Sequence, residues 1–147
     1  MKKLYNSIFI LFFLIVIPLS GQSQCKHFAQ QICKQELSPY IHDGNYHAAV
    51  LTEGESAEMY KTFYSGQNYR VSVCSEGELP EIHFQILDVD RNVLYDNSKD
   101  DFVSSWDFVA ENSQQLIISL KVKESEEDSD EPLSGCVAIM VGIKEDI

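Results

Sequence analysis

Positive charge is scarce in this chain. Its 147 residues carry 11 Lys and Arg against 23 Asp and Glu, a formal net charge of −12. Nucleic acids and anionic bilayers hold proteins by exchanging counterions for clusters of Lys and Arg, so this balance excludes nucleic acid as a partner. Long apolar runs are missing too. The longest, Ile8 to Leu19, has 12 residues where a bilayer span needs about 20, and Pro18 interrupts it. No Gly-x-Ser-x-Gly turn is present to strain a nucleophile into reach. No two cysteines stand two or three apart as in structural zinc sites. No paired carboxylates stand out, and no segment repeats.

What is present begins with a leader. Lys2 and Lys3 precede the short apolar run, and Gly21 and Ser23 occupy the −3 and −1 positions of a cut before Gln24. Residues 1–23 therefore read as a signal peptide, and the expectation is a protein exported to the periplasm or beyond. Gln22-Ser23-Gln24 lacks the small residue that lipoprotein processing needs directly ahead of Cys25, so no lipid anchor and no membrane association are expected after the leader is removed. Losing Lys2 and Lys3 leaves 9 bases against 23 acids, or −14. The remaining 124 residues make one domain, long enough to bury a core without a metal.

Its cysteines, Cys25, Cys33, Cys74 and Cys136, are an even set in an oxidising compartment. Residues 24–37 place Cys25, Phe28, Ala29, Ile32, Cys33 and Leu37 on one helical stripe that Pro39 ends. Eight residues of helix separate Cys25 from Cys33 by about 12 Å, too far for a disulfide. Two arrangements remain open. Each helix cysteine is tethered to a strand cysteine, or Cys74 and Cys136 form one bridge beside two free thiols.

After a polar, aromatic link from Tyr40 to His47, with the turn Asp43-Gly44-Asn45, the apolar period changes from 3.6 to 2. Alternating runs at Tyr69–Cys74, Ile82–Leu87, Leu116–Val122 and Val137–Ile143 predict strands, as do Val93–Tyr95, Phe102–Val109, a stretch within Glu58–Tyr64 and a short one at Ala48–Leu51. Seven or eight strands with no helix between them predict a mainly β fold, an antiparallel sandwich of jelly-roll type with one short N-terminal helix packed on a sheet. The expected organisation is a leader over 1–23, a helix and link over 24–47, and the sandwich over 48–147. On this phase Tyr69, Val71 and Val73 point inward, and Cys74 and Cys136 lie on the outer face, where they can pin the helix. Glu124 to Pro132, with six acids, reads as a mobile loop between the last two strands.

The stretches Ser65-Gly66-Gln67-Asn68-Tyr69-Arg70-Val71-Ser72-Val73-Cys74, Phe84-Gln85-Ile86-Leu87-Asp88, Trp106-Asp107-Phe108 and Gly135-Cys136-Val137-Ala138-Ile139 follow one another in a recognisable order. From about residue 50 to the end the chain resembles the pre-peptidase C-terminal domain, a small secreted β-sandwich related in shape to the GOLD domain. The whole chain also resembles small exported single-domain bacterial proteins. The resemblance implies a sandwich fold and a non-catalytic role, although no protease is attached here.

Candidate chemistry is sparse. Asp88, Asp90 and Asn92 match positions 1, 3 and 5 of a calcium loop, but Val93 stands where glycine is needed and Lys99 where glutamate is needed, so a polar hairpin turn is the expectation. A calcium site of other geometry would draw on Asp96, Asp100 and Asp101. His42 and His47 flank a turn and, with Asp43, form a partial zinc set. Tyr40, Tyr46, Tyr60, Tyr64 and Trp106 offer a ligand platform, against which a lone Trp in a strand reads as core. The leading expectation is a non-catalytic binding module for a protein or glycan, with no cofactor. Its contacts are expected at strand edges and at Tyr40, His42, Tyr46 and His47. The alternatives are a metal-dependent hydrolase using His42, Asp43 and His47, and a calcium-stabilised structural domain.

Overall fold

A computed structural model of the chain describes residues 20–126 and 130–145. The leader read at 1–23 lies outside the described residues except for Ser20–Ser23. Helix α1 spans Ser20–Gln31, and the expected cut before Gln24 falls within it. Nine strands follow among the described residues: β1 Ile41–His42, β2 His47–Thr52, β3 Ser56–Phe63, β4 Asn68–Ser75, β5 Ile82–Leu87, β6 Val93–Asp96, β7 Ser105–Val109, β8 Gln114–Val122 and β9 Ser134–Lys144.

The strands form two antiparallel sheets. In sheet A the order is β9–β4–β7, and β1 and β2 both pair with the free side of β9 as one interrupted edge. In sheet B the order is β3–β8–β5–β6. The expected β-sandwich is present, and its inward phase is as read from the alternation. Tyr69, Val71 and Val73 of β4 and Val137, Ile139 and Val141 of β9 meet Phe84, Ile86, Leu116, Ile118, Leu120 and Val122 of sheet B in one core.

The intervening residues of β4 and β9 are buried as well. Cys74, Ala138 and Met140 form a second cluster with Ala29, Cys33 and Leu37, under the N-terminal segment. Disulfides fasten it there. Cys25 pairs with Cys136 and Cys33 with Cys74, at Cα separations of 5.2 and 5.7 Å. Each helix cysteine is thus tethered to a strand, and no described cysteine is free. Taken alone, closing the shorter Cys33–Cys74 loop removes about 4 kcal/mol, and the longer Cys25–Cys136 loop about 5 kcal/mol, of chain entropy from the unfolded state.

Three local expectations need correction. The helix over 24–37 is not continuous: the α-helix ends at Gln31 and a 3-10 turn spans Cys33–Leu37. Pro39 has no N–H to bond Gln35, so the carbonyl of Gln35 instead accepts from Ser38, one residue nearer, and the last turn tightens. The link from Tyr40 to His47 supplies β1 and the first residue of β2. The strand expected from Phe102 begins only at Ser105, because Asn97–Lys99 is a 3-10 turn and Asp101 and Phe102 sit at φ 50° and 54°. Asn97 forces this excursion. Its buried amide accepts from the Phe84 N–H and donates to the carbonyls of Ile82 and Val103, at 2.9, 2.9 and 3.2 Å.

Trp106 belongs to the core side rather than to a platform. On the side of the sandwich formed by β6 and β7, its ring stacks between Tyr95 at 4.8 Å and Phe108 at 4.5 Å. This aromatic stack seals that side.

Asn97→Ala strands the Phe84 N–H in the interior and should lower unfolding stability by about 3 kcal/mol. Urea denaturation measures it, and a loss under about 1 kcal/mol would show that the 97–103 excursion does not depend on this amide.

Candidate functional site

The opposite side of the sandwich is built differently. Here the edges are β2 of sheet A and β3 of sheet B. Registers with β9 and β8 put Ala49 in line with Val137 and Ala57 in line with Leu120, so both alanines face the space between the sheets. Where the sealed side has Tyr95 and Trp106, this side has two methyl groups. A groove of about 470 Å³ results. Leu51, Met59, Val137 and Ile139 form an apolar floor, and Lys26, Tyr46, His47 and Glu58 stand among its lining residues. Cavities of this size suit a compact organic ligand or one or two inserted side chains.

Further along β3 the inward position is Lys61. Its ammonium reaches the Asp43 carboxylate at 2.5 Å and bridges the two sheets. Asp43 belongs to the loop that interrupts the β1–β2 edge. Burial alone would raise its carboxyl, but Lys61 and the Asn45 N–H hold it below the ordinary carboxylate range. His42, the last residue of β1, adjoins this loop, with a side chain only 3 % exposed. Its Nε2 donates to the Asn45 carbonyl at 2.9 Å and its Nδ1 accepts from the Gly44 N–H at 3.3 Å. Burial is the main cause that lowers its pKa, and Asp43 opposes it.

The four binding residues expected from the sequence separate. Tyr46 and His47 reach the groove. Tyr46 also rests on the His42 ring at 4.4 Å. Tyr40 lies elsewhere, under the Arg70 guanidinium at 4.5 Å, where Arg70 grips Asp107 with two hydrogen bonds and donates to the Ser38 carbonyl. Both ring nitrogens of His42 are used by Gly44 and Asn45, and both carboxylate oxygens of Asp43 by Asn45 and Lys61, so the pair is engaged in structural contacts rather than turned toward a common metal position. The tyrosines do not make one platform, since Tyr60 faces outward on sheet B, on the opposite face of β3 from Ala57 and Met59.

The other acidic candidates are occupied in the same way. Asp88 accepts from the Asn92 backbone and side-chain N–H groups, closing the β5–β6 hairpin turn. Asp96 would be raised by burial, yet Ser98, Gln85 and His83 hold it far below the usual range. Among the described residues no group of three His, Cys, Asp or Glu is disposed to hold a metal. Residues 127–129 of the acidic run lie outside the described residues, but its ends are clipped. Glu53 accepts from the N–H groups of Ser125 and Leu133 at 2.8 and 3.2 Å.

No motif marks the groove in the sequence. Its signal is negative, namely small residues at two inward positions of edge strands.

No family model matches the chain, and no curated protein matches it. The sandwich implied by the resemblance to the pre-peptidase C-terminal domain is present, while membership of that family is not shown. Among solved structures the chain is similar to PliG of Aeromonas hydrophila, a periplasmic lysozyme inhibitor of g-type lysozyme. Identity is 11 %, the TM-score is 0.49, and the match covers 68 % of this chain and 85 % of PliG.

The neutral His42 site carries a pH signature. Its pKa is lowered in the folded chain, so the unfolded chain binds more protons below the unperturbed value of about 6.5. Stability should be undiminished above that pH and fall as the solution is acidified through pH 6 to 5. Urea melts of wild type and His42→Asn at pH 7.5 and 5.5 test this. The variant should show the weaker pH dependence, and an unchanged dependence would place the titration elsewhere.

Proposed function

We propose that the chain is an exported, non-catalytic binding module that takes its ligand in the groove between β2 and β3. One observation carries the reading: at the β2–β3 side the sandwich core opens to the surface, and an apolar floor lies between two free strand edges. A buried-type lining left unfilled favours any apolar group that can enter, at roughly 25 cal/mol for each Å² removed from water. The residues that would have made a hydrolase, His42, Asp43 and His47, support this reading by their arrangement. Two are locked in loop hydrogen bonds and the third stands at the groove. An apolar floor suits a glycan poorly, since sugars are held by dense hydrogen bonding.

Export rests on the leader at 1–23 and accords with two disulfides that link the N-terminal segment to the sandwich.

The uncharged fluorophore N-phenyl-1-naphthylamine tests the groove directly. Saturable fluorescence enhancement is expected with the native, disulfide-bonded protein. Ala57→Trp, which fills the groove from β3, should abolish it, and Tyr60→Ala on the outer face should not. No saturable signal from the native protein, or an undiminished signal from a folded Ala57→Trp variant, would refute the assignment.

A further inference from the structure

Resting on the groove assignment, we infer that its ligand is an apolar anion: a single alkyl chain or ring system bearing one carboxylate, with the carboxylate held by Lys26 and His47. The argument is one of charge at the groove. Its lining includes two basic side chains, Lys26 and His47, and one acidic one, Glu58. Glu58 is already neutralised, because Arg91 reaches its carboxylate at 2.5 Å across the outer face of sheet B. Among the described residues the side chains of Lys26 and His47 make no hydrogen bond or ion pair. In a chain of net charge −12, the uncompensated charge at this opening is positive. The ammonium of Lys26 offers three donors, and a neutral imidazole at His47 still offers one N–H.

Three features turn the site away from an added β-strand. The loop Asp43–Tyr46 interrupts the sheet A edge between β1 and β2. Lys61 points inward from the opposing edge strand and is tied to Asp43 across the gap. Helix α1, which carries Lys26, packs beside β2. Interrupted edges and inward charges are the devices by which sheets prevent edge-to-edge pairing. What remains open is a volume of about 470 Å³ with an apolar floor, suited to a small amphiphile.

Competition against N-phenyl-1-naphthylamine separates this inference from the groove assignment itself. Decanoate, decan-1-ol and decylammonium share a chain and differ in head-group charge. Decanoate should displace the probe at a concentration about fivefold below decylammonium, the factor that a partly exposed ion pair supplies. The order opposes the chain's overall charge, and salt should weaken it. In the Lys26→Gln, His47→Gln double variant the preference should vanish while decan-1-ol still competes. An equal or reversed order in wild type, or a preference that survives the double variant, overturns the carboxylate assignment. Failure of all three to displace bound probe overturns it together with the groove. Ala49→Leu, a gentler filling than Ala57→Trp, should weaken all three alike, and a folded variant that binds decanoate normally places the ligand elsewhere and overturns the inference.

Discussion

Two-sided burial of β4 and β9 is the constraint on which the rest of this structure depends. Side chains of a strand alternate between faces, so a central strand in a one-layer-covered sheet normally shows a polar outer row. Here the inner row of Val71, Val73, Ile139 and Val141 is core, and the outer row of Cys74, Ala138 and Met140 is core as well. An outer apolar row needs a cover, and the N-terminal segment supplies it. At Gly142 that cover comes so close that an added Cβ would lie 2.7 Å from the Cβ of Tyr40. The same outer row holds the cysteines, so packing and covalent chemistry fix the helix in one place.

That placement decides where a ligand can go. The outer face of sheet A is occupied by α1 and the 3-10 turn, and the β6–β7 side is filled by Tyr95, Trp106 and Phe108. The β2–β3 side, by contrast, carries the small inward residues Ala49 and Ala57. The difference between the two sides is one of volume rather than polarity: aromatic rings on one, Ala49 and Ala57 on the other. The polar edge of the groove then differs from the rest of the surface in sign, with Lys26 and His47 set against an acidic background.

Much of the fold was legible because period-2 alternation survives where one face is dry and the other is not. β8, with Leu116, Ile118, Leu120 and Val122 inward, is the plainest case, and the outer-face placement of Cys74 and Cys136 followed from the same phase. The misses have local causes. β1 is two residues long and carries no period. The break after Gln31 is a switch to 3-10 bonding, Gln35 N–H to the Ile32 carbonyl, with the end of that turn fixed by Pro39. The late start of β7 comes from Asn97, whose three side-chain hydrogen bonds reach β5 and Val103, two residues ahead of β7, contacts invisible in a linear reading. The groove was the least legible feature. Two alanines eight residues apart signify nothing until the stacking of sheet edges sets them face to face. Of the expected binding residues, Tyr46 and His47 arrived there, whereas Tyr40 and His42 were drawn into structural contacts that the turn signal alone does not reveal.

Proteolytic mapping of the non-reduced protein by mass spectrometry tests the central constraint most directly. Linked peptides should join Cys25 to Cys136 and Cys33 to Cys74, with no free thiol. A Cys25–Cys74 and Cys33–Cys136 pattern, or a Cys74–Cys136 bridge beside free Cys25 and Cys33, would contradict the clamped helix and the doubly buried central strands beneath it.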